Sequence, residues 1–131
     1  MKMDPAWWTR ASDRDLGMAQ GLRELGFYEG AAFHCQQAAE KILKAAVLVR
    51  GGATQRTYSC TELLEFLADL GLPVPGEIAT QARKLDLHYV DSRYPNGVGG
   101  APDKFYDRNI ADEAIAACQA IREFAAKGLE R

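Results

Sequence analysis

Arg93 and Tyr94 are adjacent residues whose side chains suit the recognition of a nucleotide. A guanidinium group can hold a phosphate, and an aromatic ring can stack on a base. Glu40 and Lys41 add a carboxylate and an amine from a second segment, and these polar groups fall close to apolar stripes, where they need partners. A nucleotide- or partner-binding site at these four residues is one hypothesis. The alternative is that Gln37, Glu40 and Lys41 form a polar network or a dimer contact.

Common cofactor and nucleophile motifs do not occur in the sequence. No glycine-rich phosphate loop leads into Lys-Ser or Lys-Thr, and no Gly-x-Ser-x-Gly elbow is present. His34 and His88 are the two histidines, and they lie too far apart in the chain to suggest a metal site. Cys35, Cys60 and Cys118 have no close partner in sequence, which indicates buried thiols in a reducing cytoplasm. We therefore expect neither a metal nor another cofactor.

Charge and hydropathy limit the classes of partner. The 131-residue chain has 16 Lys and Arg against 18 Asp and Glu, a formal net charge of -2. A domain whose affinity depends on neutralising phosphates usually has a basic excess, so stable nucleic-acid binding by the monomer is disfavoured. A local basic patch or a transient RNA substrate is compatible with this charge. No apolar run approaches the roughly 18 residues of a membrane span, and we expect a soluble cytoplasmic protein without membrane contact.

Hydrophobic periodicity predicts two long helices in the first part of the chain. The first begins at Asp4 or Pro5, because proline suits the first helical position, and it ends at Gly26. The second ends at Gly51 and buries mainly alanine, so a neighbouring helix can approach it closely. Asp15 falls on the apolar stripe of the first helix. We interpret it as a carboxylate at the rim that pairs with a neighbouring arginine.

Three further helices are predicted in the second part of the chain. Ser59 and the glutamate three positions later form a capping box before a short third helix. The fourth begins near Gly76 and must end before Pro95, and Asp107 caps the last. Residues 93–104 are rich in glycine and proline and lack periodicity, which predicts an extended surface loop. A functional or interface role for this loop is one hypothesis, and a plain connection is the alternative.

These helices predict an all-α fold, an up-and-down antiparallel bundle of four main helices and a shorter one. The length fits a single domain over residues 1–131. Trp7 and Trp8 are neighbours and must point about 100° apart on a helix, so they cannot share one face. One should face the core and the other a partner or the loop, and we therefore expect a homodimer.

Four short segments of the sequence carry a family resemblance and occur in the family's order. They are Ala11 with Asp13-Arg14-Asp15-Leu16; Phe33-His34-Cys35-Gln36-Gln37-Ala38-Ala39-Glu40-Lys41; Thr57-Tyr58-Ser59 with Glu62-Leu63-Leu64; and Asp91-Ser92-Arg93-Tyr94-Pro95 with Phe105-Tyr106. With these segments the chain resembles small prokaryotic proteins of the HEPN (higher eukaryotes and prokaryotes nucleotide-binding) domain family. The resemblance implies a helical bundle, usually a homodimer, often encoded beside a minimal nucleotidyltransferase in toxin–antitoxin-like pairs. Tyr58 departs from the histidine that members often carry there, so no role of that histidine transfers.

The resemblance implies two alternative functions. In the first, a dimeric module binds a nucleotide or a minimal nucleotidyltransferase subunit. In the second, the protein is a metal-independent RNA endonuclease, because many members carry an arginine followed after four to six residues by a histidine, and Arg83 and His88 resemble this pattern. The histidine would accept the 2′-hydroxyl proton, and the arginine would stabilise charge on the phosphorane. Five helical steps place the two about 140° apart on an ideal helix, so they could converge only through a distorted turn, the reach of the long arginine, or a dimer cleft that uses both copies.

If there is a functional pocket, the resemblance favours a composite one. It would be lined by Arg83, His88, Glu40, Lys41, Arg93 and Tyr94. In the alternative interpretation, Arg83 bonds Glu40 or Gln37 across the bundle and His88 is a half-exposed surface imidazole. Incubation with RNA would separate the endonuclease from the non-catalytic module.

Overall fold

The computed structural model describes residues 4–53 and 55–130, and these form helices without a β-strand. The helices are α1 (Pro5–Glu24), α2 (Tyr28–Val49), α3 (Cys60–Asp69), α4 (Gly76–Asp91), α5 (Pro95–Val98) and α6 (Arg108–Leu129), with a 3₁₀ turn at Pro102–Lys104. The predicted all-α bundle of four long helices and a shorter one is confirmed. No helix in the described ranges is both long and apolar enough to cross a membrane.

Helices α1 and α2 form an antiparallel hairpin. Leu22 near the end of α1 packs on Gly30 at the start of α2, and the Ser12 hydroxyl donates to the Ala38 carbonyl at 2.6 Å. At the other end, Trp8 lies beneath the Lys44 ammonium, 5.2 Å from the ring centroid. These contacts run in opposite directions along the two helices, as the predicted antiparallel packing requires.

The central helix of the fold is α2, which contacts α1, α3, α4 and α6. Its buried face carries mostly small side chains, namely Ala31, Ala32, Cys35, Ala38, Ala39, Ala45 and Ala46. Small residues allow the neighbouring backbones to approach, while Leu43 fills the remaining space. This packing leaves the polar flank of α2 open between α1 and α4, where the candidate site lies.

Side-chain caps fix the predicted helix starts. Asp4 accepts from the Ala6 amide at 2.9 Å, Ser59 from the Glu62 amide at 3.1 Å, and Asp107 from the Ile110 amide at 2.9 Å. Each oxygen satisfies an amide that has no partner within its helix. The predicted caps at Ser59 and Asp107 are confirmed. The other half of the predicted capping box is not formed, because the Ser59 amide donates to Thr57 Oγ1 at 3.0 Å and not to Glu62.

A carboxylate from another helix also caps α3. Asp86 of α4 accepts hydrogen bonds from the amides of Cys60 and Thr61, at 2.8 and 3.1 Å, and from the Ser59 hydroxyl at 3.1 Å. A negative charge at the start of a helix is favourable because it lies beside unpaired amides and the positive end of the helix dipole. Asp86 therefore fixes the orientation of α3 against α4.

The segment 93–104 is more structured than an extended loop, which corrects that part of the sequence interpretation. It contains α5 and the 3₁₀ turn, and Gly99, at φ +76°, ends α5 in the left-handed conformation that favours glycine. Gly97 lies against α4, where a Cβ atom would stand 2.9 Å from the Asp91 Cα atom. The segment therefore folds back onto the end of α4.

Trp7 and Trp8 separate as predicted. Trp7 is 58% exposed, whereas Trp8 is partly buried against Lys44 of α2. The exposed indole is compatible with a partner surface, and the homodimer remains a prediction.

Candidate functional site

Asp15 of α1 is a buried carboxylate shared by two side chains of α2. Its Oδ1 atom lies 2.8 Å from His34 Nδ1, and its Oδ2 atom accepts a hydrogen bond from Lys41 Nζ at 2.6 Å. Asp15 is 2% exposed, while the side chains of His34 and Lys41 each keep 25% of their area exposed. The carboxylate is thus inside the bundle and its two partners reach the surface. The interpretation of Asp15 as a rim residue paired with arginine is therefore wrong.

The environment of Asp15 keeps this carboxyl group ionised. Burial raises its pKa, but hydrogen bonds from His34 and Lys41 and their positive charges act in the opposite direction and outweigh it, so the pKa lies below its ordinary value. An ionised carboxylate accepts hydrogen bonds only, so in a neutral ring the proton of His34 resides on Nδ1. The Nε2 atom then carries the lone pair and can accept a proton.

A second polar network follows the same stripe of α2. Glu40 accepts from Lys44 Nζ at 2.9 Å and from Gln37 Nε2 at 3.2 Å. The buried Gln36 donates to the Tyr58 carbonyl at 2.7 Å and so attaches the segment before α3 to α2. Of the three residues of the predicted network, Gln37 and Glu40 are bonded to each other, whereas the Lys41 amine bonds the Asp15 carboxylate.

Tyr58, Tyr89 and Arg93 form what we call the aromatic column. The rings of Tyr58 and Tyr89 are stacked, with centroids 3.9 Å apart and an interplanar angle of 7°. The Arg93 guanidinium carbon lies 4.4 Å from the Tyr89 centroid. One face of a ring cannot hold both groups at such distances, so Tyr89 lies between them.

Arg93 also joins the column to α2. Its guanidinium carbon lies 4.6 Å from the Phe33 centroid and 4.9 Å from that of Tyr94, and its Nε donates to the Tyr89 carbonyl at 2.8 Å. The Phe33 ring is in turn in a T-shaped arrangement with the His34 ring, with centroids 5.3 Å apart. Through Phe33, Arg93 and Tyr94 therefore lie near the His34 end of the polar stripe of α2.

A groove of about 330 Å³ opens between the polar stripe and the aromatic column, and we call it the α2 groove. It is lined by Gln37, Glu40, Lys44, Arg56, Thr57, Tyr58 and Tyr89. Glu40 is already paired with Lys44, whereas Arg56 is exposed and adds a positive charge. The described residues contain no group of three His, Cys, Asp or Glu side chains arranged to hold a metal ion. The groove offers aromatic, amide and cationic groups.

Arg83 and His88 face different neighbours. Arg83 donates from Nη2 to Thr80 Oγ1 at 3.0 Å and lines a separate groove between α3 and α4. His88 Nδ1 lies 2.7 Å from the Tyr106 hydroxyl, and burial lowers the pKa of His88. The expected bond from Arg83 to α2 is replaced by the bond to Thr80. Among the described residues the two side chains share no hydrogen-bond partner.

The structure thus divides the six residues of the predicted composite site. Glu40, Lys41, Arg93 and Tyr94 lie along the face formed by α2 and the end of α4, whereas Arg83 and His88 contact other surroundings. Sequence reasoning missed Asp15, His34 and the paired tyrosines of the column as parts of this face. An aspartate on an apolar stripe was the signal that could have identified the first of them.

Comparisons with known proteins give one consistent result. A family model described as HEPN domain matches residues 5–129. The crystal structure of TT1696 from Thermus thermophilus is 35% identical, with a TM-score of 0.87 over 95% of this chain and 98% of that one. The crystal structure of ST0689, an archaeal HEPN homologue, is 31% identical, with a TM-score of 0.83, and the match covers 98% of this chain and 100% of that one. The crystal structure of the HEPN domain protein TM0613 from Thermotoga maritima is 29% identical, with a TM-score of 0.76, and the match covers 95% of this chain and 98% of that one. No curated protein matches significantly.

Proposed function

Because the chain belongs to the HEPN domain family, we propose that it is a dimeric module that binds a nucleotide or a short single-stranded RNA segment in the α2 groove. The observation that carries this proposal is the aromatic column beside Arg56 and the polar stripe of α2. A minimal nucleotidyltransferase subunit, in a toxin–antitoxin-like pair, is the protein partner that the family resemblance implies.

The column offers a platform for a base. Tyr58 is 44% exposed, and one face of its ring is covered by Tyr89. A base that stacks on the other face extends the column, and such stacking contributes roughly 1–3 kcal/mol per base. The platform is tolerant of sequence, since every base has an aromatic face.

The cations around the groove suit a phosphate. Arg56 is exposed at one side, and Arg93 lies at the end of the column with its guanidinium held by stacking. Of the carboxylates nearby, Asp15 and Glu40 are each paired with a lysine, while Glu62 accepts a hydrogen bond from the groove-lining Thr57. Arg56 and Arg93 place positive charge beside these groups, although the whole chain has a net charge of -2.

Fluorescence anisotropy with a short labelled single-stranded RNA tests the proposal. Tyr58→Ala should weaken binding roughly 5- to 150-fold, the equivalent of one lost stacking contact. Phe105→Ala is the matched control, because Phe105 is a similarly exposed aromatic, 48% against 44%, outside the α2 groove. Equal affinities for the two variants, or no binding by the wild type, would contradict the proposal.

The RNA endonuclease remains the second candidate. The observation that favours this candidate is the environment of His88. Burial lowers the pKa of His88, so its ring favours the neutral form that a general base needs. In this candidate Arg83 and His88 act in a dimer cleft, which agrees with the position of Arg83 at the α3–α4 groove of its own chain. Incubation of total RNA with wild type, Arg83→Ala and His88→Ala tests it, and cleavage that survives both changes would exclude this pair.

A further inference from the structure

We propose that the α2 groove selects guanine among the nucleobases, and that Glu40 and Lys44 of α2 recognise the edge of this base. The inference rests on the proposed binding of a nucleotide or single-stranded RNA in the groove, and it adds the identity of the base. The base stacks on Tyr58. Two adjacent donors of guanine bind the Glu40 carboxylate, and the carbonyl oxygen of the base accepts a hydrogen bond from the Lys44 ammonium.

The first support is the set of acceptor sites left on the Glu40 carboxylate. A carboxylate has about four lone-pair sites, two on each oxygen. Lys44 Nζ donates to Oε2 at 2.9 Å, and Gln37 Nε2 donates to Oε1 at 3.2 Å. Among the described residues these are the hydrogen bonds that the carboxylate accepts, so one site remains on each oxygen. Two parallel sites of this kind suit a ligand with two adjacent donors.

The second support is the burial of this ion pair in the lining of the groove. Glu40 is 7% exposed and Lys44 is 9% exposed, and both line the α2 groove. The Lys44 ammonium has three donors, of which one is used on Glu40. Buried charges are costly unless further hydrogen bonds satisfy their remaining lone pairs and protons. A ligand with two donors and one acceptor would supply those bonds.

The third support is the orientation of the Gln37 amide. Its Nε2 atom donates one hydrogen to Gln36 Oε1 at 2.7 Å and the other to Glu40 Oε1 at 3.2 Å. The amide oxygen of Gln37 is thereby left as an acceptor, and no residue in the described ranges donates a hydrogen bond to it. Gln37 and Glu40 therefore present acceptors beside the Lys44 donor, which favours a base that has more donors than acceptors on the edge it presents.

The Watson–Crick edge of guanine has the complementary pattern. Its N1–H group and its N2 amine are adjacent donors, and O6 is an acceptor next to them. Adenine and cytosine each offer on this edge one amine donor beside a ring nitrogen that accepts. Uracil offers one N–H group between two carbonyl oxygens. Of the four bases, guanine alone can place two adjacent donors on the Glu40 carboxylate and an acceptor toward Lys44.

Tyr58 is held beside this ion pair. Gln36 Nε2 donates to the Tyr58 carbonyl at 2.7 Å, and Gln36 lies one helical turn from Glu40. Tyr58, Glu40 and Lys44 line the same groove of about 330 Å³, which is within the usual range of ligand pockets, roughly 300–1,000 Å³. Because Tyr89 covers one face of the Tyr58 ring, a base stacks on the other face and its edge can reach α2.

The guanidinium group of a protein partner has a similar pair of donors, but the groove is less suited to it. Lys44 and Arg56 line the groove and repel a cation, whereas a neutral base is not repelled and its phosphate is attracted. A guanidinium group also has no acceptor for the Lys44 ammonium. The charges and the hydrogen-bonding groups of the groove therefore both favour guanine.

The experiment uses the full chain and short labelled uridine strands that differ at one central position, which holds guanosine, inosine, adenosine or uridine. Inosine keeps the N1–H group and O6 of guanosine and lacks the N2 amine, so it removes one donor alone. Fluorescence anisotropy should show that the inosine strand binds roughly 10- to 150-fold more weakly than the guanosine strand, the equivalent of one lost hydrogen bond to a charged group. The adenosine and uridine strands should also bind more weakly than the guanosine strand.

Two variants locate the preference on Glu40. Glu40→Gln replaces one acceptor oxygen by an amide donor and should bring the guanosine and inosine strands to similar affinities. Glu65→Gln, at an exposed position that lines the α3–α4 groove, is the matched control and should keep the wild-type preference. If Glu40→Gln does not fold, the comparison of guanosine with inosine on the wild type still tests the inference.

The possible results separate this inference from the proposed function. Equal affinities of the wild type for the guanosine and inosine strands overturn the inference alone, because the groove then binds RNA without recognising the N2 amine. A guanosine preference that persists in folded Glu40→Gln also overturns it. Absence of binding by every strand overturns the proposed function.

Discussion

At the level of single residues, the two hydrogen bonds on Asp15 connect the stability of the α1–α2 hairpin to the orientation of His34. We expect Asp15→Asn to lower the free energy of unfolding by about 1.5–3 kcal/mol, the range for hydrogen bonds to a charged group. Asp69→Asn, at an exposed position of α3, is the control and should change little. Urea unfolding followed by circular dichroism measures both. Equal stability of the two variants would show that Asp15 does not hold the hairpin.

The same carboxylate should give the protein an acid limit. The folded state holds the pKa of Asp15 below the ordinary value of 3.8, so in acid the unfolded chain binds more protons. The contribution of Asp15 to stability is therefore complete above that value and is lost as pH falls through the lower pKa of the folded state. Thermal unfolding between about pH 5 and pH 2 should show a smaller loss for Asp15→Asn than for wild type. Parallel curves would contradict this linkage.

Local sequence signals predicted some residues of this structure and missed others for a physical reason. Ser59 and Asp107 were recognisable because a cap acts within three residues of the chain. The bond from Asp15 to His34 depends on the register between two helices, which periodicity alone does not contain. Tyr58 was noted as a departure from the family pattern, yet its stacking on Tyr89 depends on how α3 and α4 dock.

At the level of helices, the small residues of α2 set the distance to α1. We expect Ala38→Leu to overpack this contact and to cost about 1–3 kcal/mol of stability. Ala126→Leu makes the same substitution at an exposed position of α6 and should be nearly neutral. Differential scanning calorimetry compares the two melting temperatures. An unchanged melting temperature for Ala38→Leu would argue against close packing at this position.

Helix α3 depends on a cap donated by α4. Asp86→Ala removes the acceptor of the Cys60 and Thr61 amides and should cost about 0.5–2 kcal/mol, the usual range for a lost helix cap. Asp69→Ala removes a carboxylate from the other end of α3, where a negative charge is unfavourable, and should be neutral or slightly stabilising. Chemical denaturation distinguishes the two, and equal effects would show that Asp86 does not act as a cap.

The bundle itself was predictable from the sequence. Four long segments show the periodicity of amphipathic helices and end at glycine or proline residues, and such a pattern is compatible with few other folds. Helix α5 was not predictable, because four residues show no period. It depends on Pro95 at its first turn and on Gly97 packed against Asp91. The division of the predicted composite site has a similar origin: Arg83 and His88 are five residues apart on one helix, and a regular helix turns them toward different neighbours.

At the level of the whole molecule, the exposed Trp7 should contribute to a contact between two copies. We expect light scattering to report a dimer at tens of micromolar. Trp7→Ser should shift the equilibrium toward monomer, because large aromatics carry much of the energy of an interface. Leu25→Ser, at the opposite end of α1 and 72% exposed, is the control. A wild-type monomer would contradict the dimer.

Because Trp8 lies beneath Lys44, its intrinsic fluorescence should report on events in the α2 groove. The two indoles differ in environment, since Trp7 is 58% exposed in the single chain and Trp8 lies under an ammonium group whose other partner, Glu40, lines the α2 groove. An anion that enters the groove and draws Lys44 away changes the electric field at Trp8 and hence its emission wavelength. With Trp7 replaced by phenylalanine, the remaining fluorescence would follow occupancy in real time, without a dye on either molecule.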